Sequence, residues 1–136
     1  MTESDGERTL SDSERHAQGM SVRRAVLGDE HVDRALAATT EFTAPFQDLI
    51  NRYAWGDVWA RDGLDRRTRS CITIAVLTTL RAEGEIAMHV RGALRNGVSR
   101  EEISEILLHT AVYAGAPAAN SAFAIAQSVF DEKPAT

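Results

Sequence analysis

The pattern of this chain predicts an all-α fold, a compact bundle of about six to seven helices. Three observations predict it. Two S-x-x-E capping boxes, Ser11 with Glu14 and Ser99 with Glu102, stand just ahead of helical runs. Apolar residues recur three and four positions apart, and strand-like alternation is nowhere sustained. Gly28, Gly97 and the Gly115-Ala116-Pro117 break fall where such runs stop.

The elements follow in order. Residues 1–10 read as a disordered arm, and residues 11–132 as a single helical domain. The first helix spans 11–27, and HVDRALAATTEF is a short second one. Thr43 caps a third, with Pro45 in its first turn, running through FQDLINRYAW. Gly56 and Gly63 then bracket a loop that holds Trp59 and Arg61. Asp65 caps the next helix, which runs to Arg81. Its stretch from Cys71 to Leu80 is apolar nearly all round and reads as the central buried helix. Gly84 marks a turn into a helix over 85–96, which Gly97 ends in a left-handed conformation. Ser99 opens a helix to Ala114, with Ile103, Ile106, Leu107 and Thr110 on one face. PAANSAFAIAQSVF forms a last, narrow, Ala-rich helix, suited to close approach within the chain or between subunits. The tail after Phe130 frays.

Length and composition bound the function. At 136 residues the chain is one domain, and 43% hydrophobic with 26% charged residues is ordinary for a globular protein. A net charge of −5 gives no basic field for nucleic acid or an anionic membrane. No apolar run approaches the roughly 20 residues that span a bilayer. The polar, acidic start lacks a signal-peptide core, so the expected location is the cytoplasm. Cys71 is the lone cysteine, so no C-x-x-C pair exists, and in its apolar run it reads as a small buried hydrophobe. His16, His31, His89 and His109 are scattered without zinc-type spacing, so no metal site is expected within one chain. Dinucleotide, P-loop and nucleophile-elbow motifs are absent.

Two constellations carry chemistry. Glu85 and His89 stand four residues apart, on one helical face flanked by Ile86 and Val90. A carboxylate beside an imidazole fixes its tautomer and suits it to proton transfer, so both are candidate catalytic residues. The same spacing also fits an ordinary surface pair. Arg66, Arg67 and Arg69 crowd the first turn of a helix, where the macrodipole is already positive. A bound polycarboxylate would answer them, as would salt bridges to the protein's own carboxylates. Arg23 and Arg24 read more simply as solvated helix surface. Tyr53, Trp55 and Trp59 cluster where they either wall a pocket or pack a corner. Trp55 and His109, the latter one turn before Tyr113, complete the substrate-binding candidates.

Taken as strings, RRAVLGDEHVDRA at 23–35, FQDLINRYAWGDVWARDGLDRRTRS at 46–70, HVRGALRNGVSREEISEILLH at 89–109 and VYAGAPAANSAF at 112–123 resemble the 4-carboxymuconolactone decarboxylases. These lie within a broader all-helical superfamily that includes the AhpD-type alkylhydroperoxidases. The peroxidase members carry a C-x-x-C whose second cysteine precedes the matching histidine by four residues. Here Ala82 and Glu85 hold those positions, and Ser70 stands where those members have a glutamate. The thiol chemistry is therefore absent. The resemblance implies an AhpD-like fold and a cofactor-independent decarboxylation of a small lactone polycarboxylate, γ-carboxymuconolactone, to β-ketoadipate enol-lactone. It also implies a homo-oligomer, a trimer or hexamer, with the pocket near a subunit boundary. The rival readings are a thiol peroxidase, which the missing C-x-x-C opposes, and a non-catalytic helical oligomer.

Overall fold

The computed structural model describes residues 9–132, which form seven α-helices and one π-helix with no strand. Most of the expected arm, and the end of the tail, lie outside the described residues. The helices are α1 (Asp12–Leu27), α2 (Asp29–Ala37), α3 (Ala44–Ile50), π1 (Asn51–Trp59), α4 (Arg66–Thr79), α5 (Glu83–Arg95), α6 (Arg100–Ala114) and α7 (Ala116–Phe130). The all-α expectation holds. Among the described residues no helix is long and apolar enough to cross a membrane.

Local chemistry sets most of the ends. The Ser11 hydroxyl accepts the Glu14 N–H at 3.2 Å, and Asp65 Oδ1 accepts that of Thr68 at 2.7 Å. Ser99 and Glu102 close a full capping box, with both bonds at 3.0 Å. Gly28, Gly97 and Gly115 turn the chain at φ of 90°, 90° and 97°, which only glycine adopts without cost.

Three boundaries differ from the sequence reading. The second helix ends at Ala37, because Thr39, Thr40 and Thr43 turn their hydroxyls onto nearby backbone. Thr43 stands at the N-cap position of α3 as expected, but its hydroxyl makes no capping bond there. Gly56 is not a loop residue, because the helix continues through it with π geometry as far as Trp59. The turn before α5 is made by Arg81, at φ 57°, while Gly84 lies inside the first turn of the helix. Arg81 is held there by Glu83 and by the Ser121 hydroxyl, at 2.8 and 3.2 Å.

Two apolar clusters build the core. One joins α4 to α7 through Ile74, Ile86, Val90, Ile103, Leu107, Ala122 and Ala126. The other joins α1, α2 and π1 through Val22, Val26, Leu27, Val32 and Trp55. The Ala-rich side of α7 is spent inside the chain, where Ala118, Ala119, Ala122 and Ala126 are buried. α4 is less buried than its composition suggests. Ser70, Ile74 and Thr78 face the core, whereas Ile72, Val76 and Leu80 are 47%, 47% and 69% exposed. Cys71 is half-buried beside the core.

Candidate active site

The seam between the two clusters holds a cavity of about 630 Å³, within the usual range for small-ligand sites. α1 supplies Arg23 and Leu27, α2 His31, α3 and π1 Phe46, Ile50, Trp55 and Trp59, α4 Thr73, and α5 Glu85, Met88, His89 and Arg91. α5 reaches this seam because Gly92 leaves room against α1, where a Cβ would stand 3.2 Å from the Val26 carbonyl.

His89 is its chemical centre. The ring is 9% exposed, and its Nδ1 is buried without a hydrogen-bond partner. Trp55 and Trp59 face it nearly parallel, with ring centroids 6.3 and 6.4 Å away and interplanar angles of 12° and 24°. The two indoles themselves meet at 5.0 Å. π1 creates this wall by setting both tryptophans toward one side, and π geometry inside a helical run often marks a functional site. Burial first, and then the nearby His31, push the His89 pKa down to about 4. His31 is likewise lowered, by burial and by Arg34, Arg23 and Arg91, against a small opposing pull from Glu85. The cavity thus holds a neutral imidazole at its base, with Arg23 and Arg91 on its wall and Glu85 at its rim.

No hydrogen bond joins Glu85 to His89 among the described residues. Glu85 is exposed at the rim and acts electrostatically on His31. Arg23 is 6% exposed and donates from Nη1 to Asn51 Oδ1 at 3.1 Å, while its Nε is buried without a partner. A larger cleft of about 1120 Å³ opens beyond, sharing Leu27, His31, Met88 and Arg91 with the cavity. Its Arg24, Arg34 and Arg91 are answered by Asp29 with Asp33, by Glu30 and by Glu132. Among the described residues no group of three or more His, Cys, Asp or Glu side chains is placed to hold a metal.

The profile of the carboxymuconolactone decarboxylase family matches residues 44–128. The chain belongs to this family. It is 47% identical over 123 residues to 4-carboxymuconolactone decarboxylase of Acinetobacter baylyi, covering 90% of this chain and 92% of that one. It is 44% identical over 115 residues to nitrosuccinic acid decarboxylase of Metarhizium robertsii, covering 85% and 80%. A 48-residue 4-carboxymuconolactone decarboxylase sequence from Pseudomonas putida is 50% identical over its whole length, covering 35% of this chain.

In this member of the family the structure brings Glu85, His89 and Trp55 together and leaves the other candidates outside the cavity. Arg67 is paired with Glu102. Arg69 donates to the Arg61 carbonyl at 3.3 Å, and its Nε is buried without a partner. It stands one turn before the cavity residue Thr73, whose hydroxyl donates to the Arg69 carbonyl. Arg66 is exposed, and His109 is exposed against Tyr113 at 5.4 Å. Ser70, in place of the peroxidases' glutamate, is buried and accepts from Asn96 at 2.9 Å, a packing role.

Arg23 corrects the sequence reading, which gave it to solvent. The buried stripe of α1 is Gly19, Val22, Arg23, Val26 and Leu27. That spacing was visible in the sequence, and Arg23 falls inside it. His31 carried no comparable signal, because its place depends on how α2 folds back against α1.

Proposed function

We propose that this chain is a cofactor-independent carboxy-lyase that converts γ-carboxymuconolactone to β-ketoadipate enol-lactone and CO₂, acting in the cytoplasm. The observation that carries the substrate is the relatedness to the Acinetobacter enzyme along nearly the whole of both chains. The cavity supports the chemistry. As the γ-carboxylate leaves, its bonding electrons form a ring double bond, and the existing double bond shifts toward the lactone carbonyl. The resulting dienolate is protonated at the α carbon, which yields the enol-lactone. No electron sink beyond the substrate is needed.

In this reading His89 serves the dienolate. Its pKa of about 4 reflects burial first and then the nearby His31. A dianionic substrate brings opposite charge to the same place and raises that pKa, so the imidazole gains its proton when the ligand binds. Trp55 and Trp59 keep water from the reacting ring, and Glu85 tempers the positive charge at the rim. Arg66, Arg67, Arg69 and His109 join substrate binding in this reading only through assembly. The outer faces of α4 and α6 carry exposed Ile72, Val76, Leu108, Val112 and Tyr113. Exposed apolar surface of this kind supports a homo-oligomer, a trimer or hexamer in our reading. A stable monomer in sedimentation equilibrium at micromolar concentration would refute that assembly.

The Metarhizium relative favours a second reading, in which the substrate is a nitro-dicarboxylate. Its logic is the same, since a nitro group takes up the electrons that a carboxylate leaves behind. The test supplies each acid separately and follows CO₂ release. The expected result is rapid turnover of γ-carboxymuconolactone with formation of the enol-lactone. Turnover of nitrosuccinate alone would replace the first reading with the second.

A further inference from the structure

We propose that Arg23 is the receptor for the substrate carboxylate that is retained, and that Asn51 is its positioning residue. The inference rests on the decarboxylase reading above. Arg23 is the one buried arginine among the described residues. Burial and the adjacent Arg24 disfavour its charge, and no carboxylate offsets them. A guanidinium nevertheless stays protonated in proteins. A buried cation without a counter-ion is costly unless something completes it. Arg15, Arg24, Arg34, Arg67, Arg81 and Arg91 each have an internal carboxylate; Arg23, which lines the His89 cavity, has only a neutral amide, and its buried Nε has no partner. The missing partner is an anion from outside the chain.

Asn51 makes this arrangement specific. Its Oδ1 accepts from Arg23, and its Nδ2 lies 3.4 Å from His16 Nε2, the same nitrogen that stands 3.3 Å from Asp48 Oδ1. A guanidinium can only donate, so the amide is held with its oxygen toward Arg23. Gly19, one turn before Arg23, lets Asn51 approach, since a Cβ there would stand 1.7 Å from the Asn51 carbonyl oxygen. Asn51 orients the guanidinium without neutralising it, which leaves the charge for a ligand.

The chemistry decides which carboxylate Arg23 holds. A carboxylate that departs as neutral CO₂ must give up its charge. A guanidinium on that group would stabilise the ground state more than the transition state and slow the reaction. The group that keeps its charge throughout is bound equally in both states, so holding it there orients the lactone without that penalty. Arg23 thus takes the retained carboxymethyl group, and the leaving carboxylate lies toward the apolar indole wall.

The experiment compares the substrate with its analogue esterified at the retained carboxylate. Wild type should prefer the free acid by about 10- to 100-fold in kcat/KM, the worth of a hydrogen bond to a charged group. Arg23→Gln should lose that preference, and Arg23→Lys should keep part of it with a raised KM. Asn51→Asp is the second variant, since it sets an internal carboxylate on Arg23. It should weaken the free acid by a similar factor while the melting temperature holds or rises, which a purely structural role would not produce. The binding of glutarate against its monomethyl ester, measured by calorimetry, asks the same question without turnover. If wild type proves inactive on the lactone but shows this Arg23-dependent selectivity, the decarboxylase reading fails and the anion receptor stands. Undiminished selectivity for the free acid in Arg23→Gln, or in Asn51→Asp where Arg23→Gln does not fold, overturns the proposal.

Discussion

Helices α4 to α7 and helices α1 to π1 are held together in different ways. The C-terminal set meets through branched apolar side chains, and two of its four helices, α4 and α6, are closed at their starts by Asp65 and Ser99. In the N-terminal set, α1 and π1 meet almost backbone to backbone. A Cβ at Gly19 would lie 1.7 Å from the Asn51 carbonyl oxygen, and one at Gly56 would lie 2.7 Å from that of Arg15. Beside this contact Arg15 pairs with Asp57, and Arg23 bonds Asn51. The difference teaches where tolerance ends. Side-chain contacts give way gradually when altered, whereas a backbone contact has nothing to yield. The cavity takes His89 from the first set and its aromatic wall and Arg23 from the second.

The sharpest way to break this comparison is Gly19→Val. The added atoms have no space, so α1 and π1 must part, at a cost of about 3 kcal/mol or more. We expect the midpoint of urea unfolding to fall by that measure and the Trp55–Trp59 fluorescence to change with it. A Gly19→Val protein of unchanged stability would remove the close-contact account.

A smaller effect concerns pH. His89 takes up a proton near pH 4 in the folded chain, against an ordinary value of 6.5. Between those values the unfolded chain binds a proton that the folded chain refuses, so stability falls as pH falls. From pH 7.5 to pH 5 the loss from His89 alone is about 2 kcal/mol. His31 is shifted in the same direction and adds to it. Denaturant unfolding of His89→Gln at the two pH values should show a correspondingly shallower dependence. Equal slopes in wild type and variant would mean that His89 is not held neutral by its burial.

The smallest change belongs to the C-terminal set. Ser99→Ala removes one capping bond and should cost about 1 kcal/mol, read as a modest drop in melting temperature. Turnover should be unaffected, since Ser99 lies outside the cavity. A loss of activity without a loss of stability would show that the two sets are coupled more tightly than their contacts indicate.

The same contrast explains what the sequence could reveal. Capping boxes, glycine stops and the α6 stripe are local, so the starts of α1, α4 and α6 and the stops at Gly28, Gly97 and Gly115 could be read, whereas the turn before α5 and the burial of α4 could not. The π geometry of 51–59 has no comparable code. It follows from α1 lying against Gly56, and the sequence offered only a glycine that resembled a loop boundary. The site divides in the same way. Glu85 and His89 share a helix face and were visible as a pair, whereas the meeting of His89 with Trp55, Trp59 and Arg23 is a tertiary fact. Arg23 was legible only by following the stripe from Gly19 to Leu27 and accepting a cation within it. The exposure of Ile72 and Val76 was hidden by composition, because an apolar helix reads the same whether the chain or a second subunit covers it.

The central claim is that a neutral His89 in an aromatic slot becomes the proton donor for a decarboxylated lactone. Turnover of γ-carboxymuconolactone by wild type and His89→Gln, followed by CO₂ release and enol-lactone formation, tests it most directly. General-acid catalysis is typically worth about 10²–10⁴-fold, so His89→Gln should fall by at least 100-fold while remaining folded. A folded His89→Gln enzyme that releases CO₂ and forms the enol-lactone at near wild-type rate would contradict the account.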